Sequence, residues 1–513
     1  MDDLRSDAGA VLQPGFAGLT APEWVRRAIG ERALGGVALY GRNVRDTAQV
    51  AALTGELYAL NPEILVATDE EGGDVTRLET DSGSSYPGNL ALGAVDDTEL
   101  TEAVARSIGR DLAGVGIGLD YAPDADVNSN PDNPVIGVRS FGGDGELAAR
   151  HTAAYVRGLQ SAGVAACAKH FPGHGDTAVD SHLGLPRIEL DEEAFAEHLR
   201  PFRAAIEAGV RAVMTAHILF PAYDEALPAT MSRRILTGLL REELGFGGLI
   251  VTDGIEMAAI SGTHGVAAGT VRAIAGGADT ICVGGGLRDE DAFTYLRDAL
   301  VWAVREGRLP EERLHEAAER NRAAAAWARE GREASAGGGG VRTGANGHRA
   351  IGLTAARRAL HLEGKLTPLH GVPHVLEFTP VANIAVGDET AWGVAGPLAE
   401  LVPGTTMTRV TAPSGGGAVP RVDIEPLVGA AVGRPLVAVV RDVHRYEWMR
   451  RAVLAITERR PDTVVVEVGT GHGLHELFAA NGTTVLATRG SARVCGVAAA
   501  EALTGRTPDP AGT

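Results

Sequence analysis

Residues 164–182 read VAACAKHFPGHGDTAVDSH, a stretch that joins a strand to a loop rich in reactive side chains. The first five residues are small and apolar, as in a strand of a parallel sheet that ends with Lys169 and His170. Pro172 then removes a backbone donor, and Gly173 and Gly175 favour irregular backbone, so the chain cannot continue as a helix. From Lys169 onward the loop holds three histidines, two aspartates and a lysine. This composition indicates an irregular loop that follows a strand and carries candidate catalytic or ligand-binding side chains.

Short apolar runs followed by alanine-rich helical stretches recur from about residue 35 to residue 330. Apolar residues recur at helical spacing in Thr101–Ala113 and Glu193–Ala208. Strands that alternate with helices form a parallel sheet covered by helices. Seven such units predict an α/β fold of the (β/α)8 TIM-like barrel type rather than a doubly wound sheet. The predicted strands are Gly36–Tyr40, Ile64–Asp69, Val115–Tyr121, Val164–His170, Ala212–His217, Leu249–Asp253 and Thr280–Val283.

A second alternating region follows a glycine run. We expect residues 1–333 to form the catalytic barrel domain, 334–348 a Gly-rich linker and 349–513 a smaller C-terminal α/β domain. Part of this region, Val464–Gly473, also looks like the strand and Gly-rich loop of a methyltransferase, but too little chain follows to complete a nucleotide-binding sheet. The predicted strands of this domain are Val381–Val386, Leu436–Val440, Val464–Val468 and Thr484–Thr488.

Charge and composition exclude several classes of function. The 513 residues include 47 Lys plus Arg against 66 Asp plus Glu, a net charge of −19. Such a chain is not suited to bind nucleic acid or an anionic membrane surface, so a small substrate is favoured. No apolar run approaches the ~20 residues that span a bilayer, and the N-terminus lacks the apolar stretch of a signal peptide, so we expect a cytoplasmic protein. The three cysteines are expected to be free thiols, and the oligomeric state stays open.

Reactive side chains lie at or just beyond the carboxyl ends of the predicted strands. In a barrel these ends converge on one edge, where catalysis takes place. One polar residue at a strand end is often only a cap or a turn residue, but a coincidence of six argues against that interpretation. The six residues are Asp69, Asp120, Lys169, His170, His217 and Asp253.

The loop allows two chemical interpretations. Histidines and carboxylates are metal ligands, but their spacing lacks the helical pairing of a zinc-protease motif, and Lys169 would place a cation beside the ion. Acid/base chemistry fits better, because Asp180 can hydrogen-bond the imidazole of His182 across one residue. Such a partner fixes the tautomer and raises the pKa of the imidazole, so that the ring can donate and accept a proton near neutral pH. We therefore expect no metal and no cofactor.

The loop resembles the signature of the β-N-acetylglucosaminidase branch of glycoside hydrolase family 3. Lys-His-Phe-Pro-Gly-His-Gly, four further residues and Asp-Ser-His match that signature over residues 169–182. Other matches are Asp69–Gly73, Asn133–Gly142, Met214–His217 and Thr252–Met257. Two residues depart from the family pattern, Glu70 where Gln is usual and Gly254 where Asp is common. The resemblance covers residues 20–330 and implies a barrel followed by an α/β sandwich.

The resemblance also implies roles for individual residues. Asp253 would be the nucleophile of a retaining mechanism, and His182 the acid/base with Asp180 as its dyad partner. The residues expected to bind the terminal sugar are Asp69, Arg77, Arg139, Lys169, His170 and His217, with His174 and Asp120 supporting the site from behind.

Three functions remain open from the sequence. The first is hydrolysis of terminal β-linked N-acetylglucosamine from chitin- or peptidoglycan-derived fragments. The second is phosphorolysis by the same residues, because an imidazole repels phosphate less than a carboxylate would. The third is a sugar-binding protein without catalysis, against which the joint presence of Asp253 and the Asp180/His182 pair speaks. The sequence does not identify the aglycone.

Overall fold

The computed structural model describes residues 3–180, 184–337, 346–380, 392–412, 421–479 and 482–506. Its contacts divide the chain into two units. The first comprises Met1–Glu71, Asp97–Ile136 and Ser140–His348, and the second comprises Gly72–Asp96, Gly137–Arg139 and Arg349–Thr513. The second unit thus includes two short segments from the region expected to form the barrel domain.

Strands and helices alternate through both units. The strands are β1 (Leu12–Pro14), β2 (Gly36–Leu39), β3 (Leu65–Thr68), β4 (Leu119–Asp120), β5 (Ala165–Phe171), β6 (Ala212–Thr215), β7 (Leu249–Thr252), β8 (Ile281–Val283), β9 (His361–Glu363), β10 (His374–Thr379), β11 (Thr406–Thr411), β12 (Leu436–Val440), β13 (Val464–Glu467) and β14 (Thr484–Ala487). The α-helices are α1 (Asp3–Ala10), α2 (Glu23–Gly30), α3 (Thr47–Leu60), α4 (Asn89–Val95), α5 (Thr98–Gly114), α6 (Gly145–Gln160), α7 (Glu192–Glu207), α8 (Ala258–Ser261), α9 (Val266–Gly276), α10 (Glu290–Arg305), α11 (Glu311–Gly337), α12 (Ala350–Ala359), α13 (Ala395–Leu401), α14 (Glu425–Gly429), α15 (Glu447–Arg459), α16 (Leu474–Phe478) and α17 (Arg493–Thr504), and a π-helix spans Arg234–Glu243.

The first unit is built on parallel strands in chain order. Strands β2 to β7 form one sheet in the order β2-β3-β4-β5-β6-β7, and β1 pairs with β8. Thr280, next to β8, bridges Val251 of β7 in parallel. Each of the seven strands predicted for this region is found, although the predicted strand Val115–Tyr121 is strand only at Leu119–Asp120, because Val115 and Gly116 form the turn that ends α5. Strand β1 was missed, because Leu12–Pro14 is three residues long and ends in proline, a weak strand signal.

Alternate residues of these strands meet in one apolar cluster. Leu65 and Ala67 of β3 lie in it with Ala165 and Cys167 of β5, and every one of these side chains is buried. Five helices of this unit, α3, α5, α6, α7 and α10, begin at a capping aspartate, whose carboxylate accepts the third backbone N–H of the helix. The capping residues are Asp46, Asp97, Asp144, Asp191 and Asp289.

The second unit is a six-stranded sheet in the order β11-β10-β12-β13-β14-β9, parallel except for β9. Successive residues of β12 face opposite sides: Ala438 packs with α15, and Val439 packs with α17. Helices thus cover both faces of an α/β sheet. Predicted strands Leu436–Val440, Val464–Val468 and Thr484–Thr488 are confirmed. The predicted strand Val381–Val386 lies outside the described residues, and β9, β10 and β11 were not predicted.

The early segment 72–96 joins the second unit through buried polar contacts. Asp74 Oδ2 lies 2.6 Å from Nη2 of Arg441, and Asp74 Oδ1 accepts the backbone N–H of Ser491 at 2.8 Å. Arg493 Nη2 also donates to Ser85 Oγ at 2.7 Å. A carboxylate buried at Asp74 needs such partners, so the segment belongs to the sheet that supplies them.

The region between the units begins as helix. Helix α11 continues to Gly337, beyond the predicted start of the linker at residue 334, and residues 338–345 lie outside the described part of the chain. Among the described helices, none has the length and apolar character to cross a membrane.

Glu467 is a buried carboxyl group at the end of β13. Its Oε1 accepts backbone N–H groups of Asp442 and Gly469, each at 2.7 Å, and its Oε2 accepts that of Val443 at 3.3 Å. Burial, together with the nearby Asp442 carboxylate, raises the pKa of Glu467 to about 8, because the three backbone donors offset these two effects only in part. The native state therefore holds this proton more tightly than the unfolded chain does.

Glu467 should make the protein less stable as the pH rises. Between the unfolded pKa near 4.5 and the folded pKa near 8 the native state binds the extra proton. Its contribution to the free energy of unfolding should therefore fall by about 1.4 kcal/mol per pH unit across that window. Glu467→Gln should remove this slope when guanidinium unfolding is followed from pH 5 to pH 8. A variant with the same slope as the parent would contradict the assignment.

Candidate active site

Lys169 at the end of β5 is a buried cation between two carboxylates. Its Nζ lies 2.8 Å from Asp69 Oδ1 and 2.6 Å from Glu71 Oε1, and its side chain is only 2% exposed. A buried ammonium group is tolerated only with such partners. The structure thus brings Asp69 and Lys169 together as predicted. It also adds Glu71, which lies in the Asp69–Gly73 motif and had no predicted role.

Asp120 fixes the backbone of the loop that carries Asp69. Its Oδ1 accepts the backbone N–H of Glu70 at 2.8 Å, and the side chain is fully buried. Burial raises the pKa of Asp120 well above its ordinary value, and the backbone N–H of Glu70 partly offsets this shift. Asp120 therefore holds the backbone next to Asp69, and its supporting role in a sugar site stays a prediction.

Asp126 organises the beginning of the loop that follows β5. Its Oδ2 lies 2.7 Å from His170 Nδ1, and its Oδ1 accepts the backbone N–H of His170 at 3.3 Å and of His174 at 2.6 Å. The sequence did not lead us to predict Asp126, which lies in the turn that follows β4. The feature that could have identified it is the pair of acidic residues, Asp124 and Asp126, in an otherwise apolar segment.

Asp124, Asp126 and His170 are also close enough to hold a metal ion, since one ligand atom of each lies within 4.8 Å of the others. Both oxygens of Asp126, however, already face N–H groups or the imidazole of His170. This arrangement fits a hydrogen-bonded carboxylate that orients an imidazole. The expectation that the site uses no metal stays a prediction.

His174 is a neutral, buried histidine behind the loop. Burial, together with the adjacent His170, lowers its pKa to about 4. Its Nδ1 lies 3.0 Å from Thr177 Oγ1, and its carbonyl oxygen accepts Nδ2 of Asn133 at 2.9 Å. Because the ring stays uncharged near neutral pH, it fills and braces the loop without competing for the acid/base role.

The far end of the loop carries the predicted dyad. Asp180 is half-buried. Earlier in the same loop, the hydroxyl group of Ser129 donates to Asp176 Oδ1 at 2.8 Å. His182 lies outside the described residues. The pairing of Asp180 with His182 therefore stays a prediction.

Asp253 directly follows β7 and is half-buried. The backbone N–H of Gly254 donates to Asp253 Oδ1 at 2.7 Å. His217 Nε2 donates to the carbonyl of Gly254 at 3.0 Å, and its Nδ1 lies 2.7 Å from Thr230 Oγ1. His217 is fully buried, so in the described structure it supports the turn at Asp253, and its contact with a sugar stays a prediction.

Arg77 and Arg139 belong to the second unit, apart from the residues above. Arg139 is 7% exposed, and its carbonyl oxygen accepts Nδ2 of Asn89 at 2.7 Å. Arg77 is half-buried. Their meeting with Lys169 around one sugar stays a prediction.

Comparison with known proteins agrees with the geometry. The profile of the glycosyl hydrolase family 3 N-terminal domain matches residues 9–323. Beta-hexosaminidase A of Pseudoalteromonas piscicida is 37% identical over 344 residues, 61% of this chain and 57% of that protein. The beta-hexosaminidase of Thiobacillus denitrificans is 38% identical over 267 residues, 50% of this chain and 73% of that protein. This chain thus spans little more than half of the first relative.

A solved structure covers nearly the whole chain. The glycoside hydrolase family 3 beta-N-acetylglucosaminidase from Paenibacillus sp. str. FPU-7 has a TM-score of 0.85 and 34% sequence identity, covering 98% of this chain and 97% of that one. A beta-glucoside phosphorylase has a TM-score of 0.78 at 21% identity, which is a likeness of fold alone.

Gly175 is required where the loop crosses the turn after β4. A Cβ at this position would lie 1.7 Å from the carbonyl oxygen of Val127. Gly175→Ala should therefore displace the loop and lower the free energy of unfolding by about 1–3 kcal/mol, measured by urea denaturation. The matched control is Gly184→Ala, because a Cβ there meets no atom within 4 Å. Equal stability of the two variants would contradict the close approach at Gly175.

Proposed function

This chain belongs to glycosyl hydrolase family 3, and we propose that it is a retaining exo-β-N-acetylglucosaminidase. It releases terminal β-linked N-acetylglucosamine from chitin- or peptidoglycan-derived fragments. One observation carries the proposal: Asp253 follows β7 in the unit whose β5 ends in the Asp69–Lys169–Glu71 group and in His170, bonded to Asp126. The names of the relatives and of the Paenibacillus structure support the substrate class.

We propose a (β/α)8 TIM-like barrel for the first unit and an α/β sandwich for the second. Parallel strands in chain order, the β1–β8 pair and the bridge between Val251 and Thr280 support closure of the barrel. The single cluster formed by one face of β2 to β8 agrees with a filled interior. Active sites of such barrels lie at the carboxyl ends of the strands, where Asp253 and Lys169 are found.

The reaction proceeds in two displacements. Asp253 attacks the anomeric carbon while the glycosidic C–O bond breaks, and His182 gives its proton to the leaving oxygen. His182 then takes a proton from water, which attacks the anomeric carbon and releases the Asp253 carboxylate. Asp180 stabilises the imidazolium form of His182 and so keeps its pKa near the working pH.

Charged side chains bind the terminal sugar. Asp69 and Lys169 supply an acceptor and a donor for hydroxyl groups, and Arg77, Arg139, His170 and His217 complete the proposed set. A site that pairs with hydroxyls rejects sugars that lack them, because its polar groups would then be buried without partners.

Water is the favoured acceptor. Lys169 is already flanked by two carboxylates, so its charge is neutralised within the protein. A phosphate dianion at this edge of the sheet would meet Asp69, Glu71 and Asp253, and like charges at short range repel. Phosphorolysis, which the imidazole acid/base leaves possible, therefore ranks second.

An aryl-glycoside panel tests substrate and acceptor together. The parent should cleave the aryl β-N-acetylglucosaminide in preference to the β-glucoside, with a rate unchanged by added phosphate. Asp253→Asn should reduce kcat by at least about 10³-fold, because no covalent intermediate can form. Preference for the plain glucoside, or phosphate-dependent release of sugar 1-phosphate, would overturn the assignment. An active Asp253→Asn variant would overturn the nucleophile.

The dyad predicts a shift in the pH profile. Asp180→Asn removes the carboxylate that raises the pKa of His182, so the alkaline limb of kcat/KM should move to lower pH. Asp176→Asn is the matched control on the same loop, because Asp176 bonds Ser129 and has no part in the dyad. The proposed dyad fails if both variants keep the profile of the parent.

A further inference from the structure

Glu256 lies three residues beyond Asp253 and contacts the loop after β8. Its Oε2 accepts the backbone N–H of Gly284 at 3.1 Å. Its Oε1 accepts the backbone N–H groups of Gly285 and, at 3.4 Å, of Gly286. Three successive amides directed at one carboxylate form an anion-binding turn. We call these three backbone N–H groups the amide cradle.

The amide cradle is itself fixed from the other side. Arg42 Nη2 donates to the carbonyl of Gly284 at 2.8 Å, and its Nε donates to that of Phe16 at 3.0 Å. A Cβ on Gly284 would lie only 3.0 Å from both Glu256 Oε1 and Tyr40 Oη, so glycine allows this close approach without displacing either side chain. Arg42 therefore holds the loop after β8 in the conformation that places its backbone N–H groups against Glu256.

The turn between Asp253 and Glu256 is tied to its surroundings at each residue. His217 Nε2 donates to the carbonyl of Gly254, and the backbone N–H of Ile255 donates to the carbonyl of Cys282 at 3.0 Å. The contacts of Gly254 and Ile255 hold the near part of the turn. Glu256 holds the far part.

We propose that Glu256 is a positioning residue for the nucleophilic step: its carboxylate, seated in the amide cradle, fixes the turn that aims Asp253 at the anomeric carbon. The inference rests on the proposed function, since it takes Asp253 as the nucleophile. Glu256 acts through the reach of its side chain and its acceptor oxygens. Misplacement of a reacting group by about 1 Å costs on the order of 10²-fold in rate, so the anchor of this turn affects the chemical step.

The test compares Glu256→Gln, Glu256→Asp and Glu256→Ala with the parent. Gln keeps the reach and one acceptor oxygen for the amide cradle, whereas Asp keeps the charge but is shorter by one carbon. The first readout is the rate at which a slow fluorosugar inactivator labels Asp253 covalently, followed by intact-protein mass. The second is kcat and KM for an aryl β-N-acetylglucosaminide, with melting temperature as a check on folding.

We expect labelling and kcat to fall about 10- to 100-fold in Glu256→Ala, with KM changed less than about threefold. Glu256→Gln should retain more of the labelling rate than Glu256→Asp. Glu312→Gln, an exposed change on α11, is the matched control and should behave as the parent.

Two results overturn the inference and one overturns its premise. Equal labelling of the parent and Glu256→Ala excludes a positioning role. Equal labelling of the parent and Glu256→Asp excludes it too, because the shorter side chain would then orient Asp253 without reaching the amide cradle. If Glu256→Ala does not fold, the comparison of Glu256→Asp with the parent decides alone. A parent that labels no residue, or a residue other than Asp253, refutes the proposed nucleophile and this inference with it.

Discussion

The arrangement of the candidate active site depends on one buried carboxylate, that of Asp126. It faces the imidazole of His170 and accepts the amides of His170 and His174, so it joins the turn after β4 to the loop after β5. A carboxylate in a protein interior is stable only while its oxygens have partners. If the loop adopted another conformation, the buried carboxylate of Asp126 would lose its hydrogen-bond donors. Its direction towards Asp180 is therefore fixed before any substrate binds.

The turn that carries Asp253, the proposed nucleophile, is fixed in a different way, mainly through backbone groups. The backbone N–H of Gly254 donates to Asp253, and the carbonyl oxygen of Gly254 accepts from His217. Glu256 accepts the backbone N–H groups that follow β8. The two strands next to β7 thus supply the groups that hold this turn, because His217 follows β6 and Gly284 follows β8.

The strands of the first unit could be predicted because each is a buried apolar run, and seven of them lie where the sequence indicated. The second unit was predicted less well. Strand β11 (Thr406–Thr411) is mostly exposed at the edge of its sheet, so its sequence lacks an apolar run, and β9 is only three residues long. The membership of residues 72–96 depends on Asp74 meeting Arg441, a contact between distant positions that no local pattern encodes.

The site shows the same limit at the level of single residues. Asp69, Lys169 and Asp253 could be found because they end strands, and strand ends of a parallel sheet share an edge. Asp126, Glu71 and Glu256 could not, because their roles come from partners on other loops: His170, Lys169 and the glycines after β8. Sequence position thus identifies the residues proposed to bind or attack the sugar, whereas the groups that orient them are identified by hydrogen-bond geometry. Asp126 follows β4, and the glycines that hold Glu256 follow β8. The loops after β4 and β8 therefore fix the conformation of residues at the ends of β5 and β7.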